Sequence, residues 1–446
     1  MTLPKQPKEV ELEIVELSDK GLGGSQHNER PVWVRNALPG EMVNAKILKR
    51  RGGQRFADGV PLSNLHQDRV PSPCAYFPRC GGCATHHLAP QAQLGHKQAQ
   101  LSMQLEHYDV VAGSWREPVS LLRLGYRRKA RLGVRVVGES VLVGFRESFS
   151  NRVSRMDVCM TLTPKLSRLL VPLKMTIAKM SDPKSVPQIE LAQGDVQCAL
   201  IVRHLQALTA GDIDLWRAFE KQWQVEVLMQ SKGYDTLTPV AVAKKQLTVL
   251  HYQIPEYGLT LGFYPHHFTQ VNASMNRELI RTVMGYLGNR RGQVVADMFC
   301  GLGNFTLPLA RTGAMAVGFE ASEPAVVMGT VNAQRNGVAE TSRFFAEDLY
   351  GGAGAYNEIR AKADCFGKPP QALILDPPRS GAGPNLNSWA SSESVEQIVY
   401  VSCNPATFAE DAALLNDLGY ALDQVGVYDM FPGTAHVETV GNFRRH

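Results

Sequence analysis

Cysteine is scarce in this chain, 8 in 446 residues, too few and too unevenly spread for the disulfide framework of a small secreted domain. No uncharged apolar run reaches the length a membrane-spanning helix needs, which argues against a membrane partner. The residues after Met1 lack the apolar core of a secretory signal, so the expected compartment is the cytoplasm. No charge of one sign dominates either: 47 basic residues stand against 42 acidic ones, a formal net charge of +5. That balance alone does not announce a nucleic-acid partner. Internal repeats, low-complexity tracts and heptads are absent, and a monomer is the expectation.

What is present is a globular composition, 44% hydrophobic and 20% charged, in a chain too long for one ordinary core. Two or three domains are expected. Residues 8–64 read as a small β-barrel, with strands at 10–17, 32–35 and 42–48, turns at 21–24 and 38–41, and a basic loop of Lys49, Arg50, Arg51 and Arg55. A proline-rich stretch at 70–73 marks its end, so 1–68 is taken as the first domain. A central α+β, mainly antiparallel region follows over 69–264, with a polar helix at 90–107 that can pack on the catalytic domain. Its strands are expected at 127–137, 141–145, 197–204 and 225–229. Over 116–155 it concentrates Arg123, Arg127, Arg128, Lys129, Arg131, Arg135, Arg146, Arg152 and Arg155, a positive face that can neutralise phosphates.

From about 288 strands and helices alternate, the pattern of a Rossmann-like α/β domain with a largely parallel sheet, and 265–446 is taken as that domain. Strands are expected at 293–299, 314–320, 342–346, 372–376, 397–402 and 421–428, with helices at 324–336 and 405–418. The first strand runs into Asp297, Phe299, Gly301, Gly303 and Asn304, and the second ends at Glu320. Glycines between strand and helix let the backbone approach a ligand, and an acid about 20 residues on suits a ribose. Thr306 stands where a dinucleotide fingerprint has its third glycine, and Asp297 suits a cationic sulfonium better than a pyrophosphate, so S-adenosylmethionine is favoured over NAD. Asp297 as a helix cap is the plainer alternative.

The fourth strand runs into Asp376-Pro377-Pro378-Arg379 and the fifth into Cys403-Asn404-Pro405, and strand ends of an open α/β sheet face the ligand crevice. A helix starting at Pro405 would favour a Cys403 thiolate through its dipole. Such a nucleophile suits uracil, whose carbon 5 reacts with a methyl donor only after addition at carbon 6. A base must then remove the carbon 5 proton; Glu438 is the candidate, and His436 an alternative. An amino-methyltransferase using Asp376-Pro377-Pro378, with Cys403 incidental, and a non-enzymatic RNA-binding or folding factor are the competing readings.

The segments "ADMFCGLGNFTLPLA", "LDPPRSGAG", "YVSCNPATFAEDAALL" and "DMFPGTAHVET" resemble successive motifs of the RNA uracil-5-methyltransferase family. The resemblance implies that Cys403 is the nucleophile and Glu438 the general base. Through "FYPHHFTQVN" it implies a cofactor contact from Gln270, with Phe299, Asn304, Glu320, Asp348 and Asp376 lining the same pocket; His266 and His267 gain no role. "VGNF" departs from the more apolar tail of relatives and leaves the last strand open. The cluster Cys74-x5-Cys80-x2-Cys83, with Cys159 or Cys198 as a fourth ligand, fits zinc or an iron–sulfur group on spacing alone. The resemblance implies a [4Fe-4S] cluster on Cys74, Cys80, Cys83 and Cys159, with His86 and His87 the argument for zinc. "DKGLGGS" and "VWVRNALPGEMVNAKILKR" resemble a TRAM domain, an RNA-binding module. A barrel together with a cysteine cluster resembles the members that act on 23S ribosomal RNA. That implies 23S ribosomal RNA as partner, with uracil 1939 the expected target; another ribosomal site or transfer RNA is the alternative.

Overall fold

The computed structural model describes residues 8–241, 246–351 and 353–446. Residues 1–7 of the expected first domain, and 242–245 of the central one, lie outside the described residues.

Alternating apolar residues build the N-terminal unit. Leu12, Ile14, Val32, Val34, Val43, Ala45, Ile47 and Ala57 are buried together, as period-two patterning demands of strands with one wet face. Glu9–Glu13 pairs with Met42–Arg51, and Glu16–Leu17 of the same stretch pairs with Gly23–His27, which pairs in turn with Arg30–Arg35. Gln54–Ser63 lies between Arg30–Arg35 and Met42–Arg51. One chain stretch thus stands at both ends of a six-stranded order, and the sheet curls back on itself.

Two expectations are corrected here. Residues 21–24 are not simply a turn, because Gly23–His27 forms a strand paired on both sides. The basic residues 49–55 form a hairpin rather than a loop. Gly52 and Gly53 take φ of 56° and 77°, the left-handed pair that a two-residue turn requires, and Arg51 pairs with Gln54 across it.

The central sheet runs Ser140–Gly144, Lys129–Val137, Gln188–Gln193, Cys198–Arg203, Glu226–Gln230 and Thr238–Pro239. Only the pairing of Cys198–Arg203 with Glu226–Gln230 is parallel. Its core gathers Leu132, Val143, Leu173, Ile189, Leu200, Trp216 and Val227. The helix Ala210–Trp223 is fixed at its start by a capping box between Thr209 and Asp212.

The C-terminal sheet has the order Ser342–Ala346, Met315–Glu320, Val294–Met298, Ala372–Leu375, Gln397–Ser402, Glu438–Arg445, Tyr420–Tyr428 and Ser114–Trp115. The first five strands are parallel, and the inner three, Val294–Met298, Ala372–Leu375 and Gln397–Ser402, are buried on both faces. The pair Ser114–Trp115 comes from the stretch assigned to the central region and joins this sheet alongside Tyr420–Tyr428. Leu101, Leu105 and Val110, just before it, are buried in the same core. The hairpin Leu250–Ile254/Leu259–Phe263 likewise packs with Leu279, Ile280 and Leu302 of the catalytic unit. The boundary at 264 therefore divides the sequence more cleanly than the packing does.

The final strand forms despite its polar reading. Glu438–Arg445 is antiparallel to both neighbours, and its first six residues are buried. Phe443, fully buried against Phe408, anchors it. Truncating Phe443 to Ala is expected to cost about 3–5 kcal/mol of stability. Denaturant titration checks this, and a loss within about 0.5 kcal/mol, as for a surface site, would contradict it.

Candidate active site

The site is built at the carboxyl ends of the parallel strands. Val294–Met298 ends in a sharp turn in which Phe299, Gly301 and Gly303 all take positive φ, 66°, 54° and 90°. At Gly303 a Cβ would come within 2.9 Å of the Phe344 ring and 3.0 Å of Leu307, so the loop's approach needs glycine there. The Gly301 amide donates to Glu320 Oε2 at 3.2 Å, and the Ser322 amide to Oε1 at 2.9 Å. Asn304 exchanges amide hydrogen bonds with Asn276 at 2.8 and 3.0 Å, and Tyr252 donates to its Oδ1 at 3.1 Å. The Phe299 ring lies 5.8 Å from Tyr350 and 6.2 Å from Trp389.

Carboxylates crowd this edge. Asp297 is fully buried; the Thr306 hydroxyl donates to Oδ2 at 2.5 Å, while Oδ1 has no hydrogen-bond partner among the described residues. Burial pushes its pKa up to about 7, with the Glu320 charge adding to the rise. Asp376 is pushed up to about 7 by burial and by the charges of Asp297 and Glu320. Glu438, 3% exposed, is pushed up to about 8 by burial and Asp376, against the pull of Arg379. A pocket whose acids repel one another, with a buried carboxylate oxygen left over, fits a cationic ligand.

Cys403 follows Gln397–Ser402 and precedes the helix Pro405–Asp417, where the Asn404 side chain accepts from the Ala406 amide. Asn404 Nδ2 also donates to the Arg379 carbonyl at 2.9 Å. Asp411 accepts from the Ala382 amide at 2.8 Å and from the Tyr400 hydroxyl, so the loop after Asp376 is pinned to this helix. The helix dipole does not decide the state of the thiol. Burial, then the Glu438 charge, raises the Cys403 pKa, and Arg379 works against both. The expectation of a dipole-favoured thiolate is corrected on that ground.

Cys403, Arg379, Asn404 and His436 line a cleft of about 760 Å³. Its other walls come from the N-terminal unit (Lys20, Arg35), the cysteine loop (Phe77, Cys83) and the central unit (Arg127, Phe145, Phe149). Guanidinium groups alternate with rings: Arg35 lies 5.5 Å from the Phe149 ring centre, and Arg127 5.6 Å from that of Phe145. His436 contacts Arg379 and reaches solvent as a residue. Desolvation of its ring and the Arg379 charge still hold its pKa down to about 4, which makes it a weaker base than Glu438.

The other expected residues divide. Gln270 lines a small pocket with Tyr252, Asn276 and Arg128, adjoining the Asn304 network rather than the Cys403 cleft. Asp348 is exposed and accepts from the Tyr350 amide at 3.0 Å. Cys74, Cys80, Cys83 and Cys159 line one pocket, while Cys198 lines another. Burial and neighbouring thiols raise the pKa of Cys80 and Cys83. Among the described residues no three His, Cys, Asp or Glu side chains are gathered so as to hold a metal ion as they stand. His266 stacks between Tyr234 and Tyr264, a packing role.

Arg379, Tyr252 and Asn276 had been given no role. Arg379 was legible as the residue directly after Asp376-Pro377-Pro378; Tyr252 and Asn276 come from separate elements and left no local signal.

The sequence profile of the tRNA (Uracil-5-)-methyltransferase family matches residues 206–445. A 23S rRNA (uracil(1939)-C(5))-methyltransferase RlmD of Hahella chejuensis is 39% identical over 99% of this chain and 98% of its own. The enzyme of that name from Alkalilimnicola ehrlichii is 41% identical over the same shares. In fold, the chain is similar to the crystal structure of the Pyrococcus abyssi tRNA (uracil-54, C5)-methyltransferase in complex with S-adenosyl-L-homocysteine. That match has a TM-score of 0.72 at 22% identity, over 97% of this chain and 100% of the other. A profile matched over more than half the chain, and relatives matched almost end to end, establish that the chain belongs to the tRNA (Uracil-5-)-methyltransferase family.

Proposed function

We propose that this protein transfers a methyl group from S-adenosylmethionine to carbon 5 of a uridine in 23S ribosomal RNA, uracil 1939. The observation that carries the reading is the electrostatic meeting of Cys403, Arg379, Asp376 and Glu438 at the strand ends, beside a cleft of arginines and rings. Relatives that share 39–41% of its residues over almost their whole length supply the choice of RNA.

The Cys403 sulfur adds to carbon 6, and the electron pair of the carbon 5–carbon 6 double bond moves to carbon 5 and its carbonyl. Arg379 stabilises the thiolate that this requires. When bound, S-adenosylmethionine supplies a methyl group on a sulfonium, electrophilic enough for the activated carbon 5 to take. Asp297, Asp376 and Glu320 favour the cation electrostatically, and Gln270, Phe299, Asn304 and Asp348 complete the proposed cofactor surroundings. Glu438 then accepts the carbon 5 proton; the double bond re-forms as the carbon 6–sulfur bond breaks and Cys403 leaves.

The N-terminal unit, within 1–68, is read as a TRAM domain that contributes RNA contacts, 69–264 as the central domain and 265–446 as the catalytic one. Cys74, Cys80, Cys83 and Cys159 are read as the ligands of a [4Fe-4S] cluster. Four thiols around a common pocket support that choice. Protein prepared without air is expected to carry about four irons per chain, lost in Cys83→Ser and kept in Cys198→Ser. Stoichiometric zinc in place of iron would contradict this.

RNA containing 5-fluorouridine blocks the last step, since fluorine does not leave as a proton does. A fragment bearing uracil 1939 is expected to form an adduct that survives denaturation and vanishes in Cys403→Ala. Adducts on transfer RNA alone would overturn the target, and activity retained by Cys403→Ala would favour an amino-methyltransferase.

Glu438 must be ionised to act, and its raised pKa sets the direction of the pH profile. Turnover is expected to rise with pH through about 8 and then level off. A profile already flat between about pH 6 and 9, a range that spans that value, would contradict the assignment.

A further inference from the structure

The helix Pro90–His107 buries polar residues where a packed helix usually buries apolar ones: Gln93, Lys97 and Gln100 share its inner face with Leu101 and Leu105. Lys97 is 1% exposed. Its ammonium donates to Asp429 Oδ1 at 2.6 Å and to the Phe431 carbonyl at 3.3 Å. The Ser120 hydroxyl donates to the other Asp429 oxygen at 3.0 Å, and the Asp429 amide donates to the Val119 carbonyl at 2.8 Å. Gln93 donates to the Thr85 and Leu88 carbonyls at 2.9 and 2.7 Å and accepts from the Gly433 amide at 3.1 Å. The Ala84 and Thr85 amides donate to the Gly433 carbonyl at 2.9 and 3.0 Å.

Apart from the two that Gln93 donates to Thr85 and Leu88, these bonds converge on residues 429–433, the loop between Tyr420–Tyr428 and Glu438–Arg445. From there the chain of contacts continues toward the base. The Phe431 carbonyl that Lys97 holds also accepts from the Thr434 hydroxyl at 2.8 Å, and that hydroxyl accepts from the His436 amide at 3.3 Å. Glu438 lies two residues further on. A buried ion pair adds little net stability over an apolar pair of similar volume, so what it contributes here is a fixed geometry.

We propose that Lys97 and Gln93 are positioning residues for the proton-removal step, holding the 429–433 loop from a helix outside the catalytic motifs so that Glu438 is set against the Cys403 adduct. Neither side chain lines the cleft, so neither touches RNA there. The inference rests on the proposed roles of Cys403 and Glu438. Its specific consequence is that loosening the loop should spare adduct formation and slow adduct breakdown.

The test uses the full-length protein, S-adenosylmethionine and a 23S ribosomal RNA fragment with ordinary uridine, quenched under denaturing conditions. Lys97→Met/Asp429→Leu replaces the buried pair with apolar groups and should fold; Gln93→Leu is the second variant. Both are expected to lower kcat by about tenfold or more, leave the KM for RNA unchanged and accumulate covalent protein–RNA that wild type does not hold. Folded variants that turn over at the wild-type rate, or that lose methyl transfer and adduct in parallel, would overturn the inference. Wild type that forms no adduct with 5-fluorouridine RNA would instead overturn the nucleophile reading beneath it.

Discussion

Burying carboxylates together is unfavourable, and this fold does it at one sheet edge. Asp297, Asp376 and Glu438 are held at about 7, 7 and 8, well above the ordinary range of such groups, because water is excluded and because each feels another's charge. The folded chain therefore binds protons there that the unfolded chain releases near pH 4. These three groups favour the folded state most at low pH, and that contribution is lost as pH rises toward 7 to 8. A cation placed among them relieves the repulsion, as Arg379 does from the cleft side. The strained turn at Phe299 and Gly303, the capped helix behind Cys403 and the buried final strand serve to keep these acids where they are.

The rest of the molecule extends that edge into a cleft. Arg35 makes a half-buried ion pair with Asp58 inside the N-terminal unit, and its guanidinium donates to the Arg79 carbonyl at 3.3 Å in the cysteine loop. Glu41, fully buried, accepts from the Leu38 and His66 amides and from Arg69, tying the N-terminal unit to the segment that follows. The N-terminal unit, cysteine loop and central sheet are thereby held against the C-terminal unit, and their arginines and rings face the space beside Cys403. Phosphate neutralisation and base stacking are both within reach of such walls.

Much of this was legible in the chain itself, because it depends on local rules. Strand ends were marked by Asp297, Glu320, Asp376 and Cys403, and the helices at 90–107 and 405–417 by proline at their first positions. Polar or glycine-rich strands were harder. Gly23–His27 and Glu438–Arg445 form because partners on both sides supply hydrogen bonds, which no local pattern records. The state of Cys403 was misread for a similar reason: a helix dipole is visible in sequence, whereas burial and the facing Glu438 exist only once the chain has folded. Ser114–Trp115 crosses from one unit to another's sheet, and such a crossing leaves no compositional boundary.

The central claim is that Cys403 and Glu438 divide the reaction between them, one opening the uracil ring to methylation and the other closing it. Ribosomal RNA labelled with tritium at carbon 5 of uridine separates the two events. Wild type should release one tritium for each methyl group transferred. Glu438→Gln should transfer methyl once per enzyme and release no tritium, leaving the label on protein-bound RNA. Tritium release by Glu438→Gln in step with methylation would contradict the account.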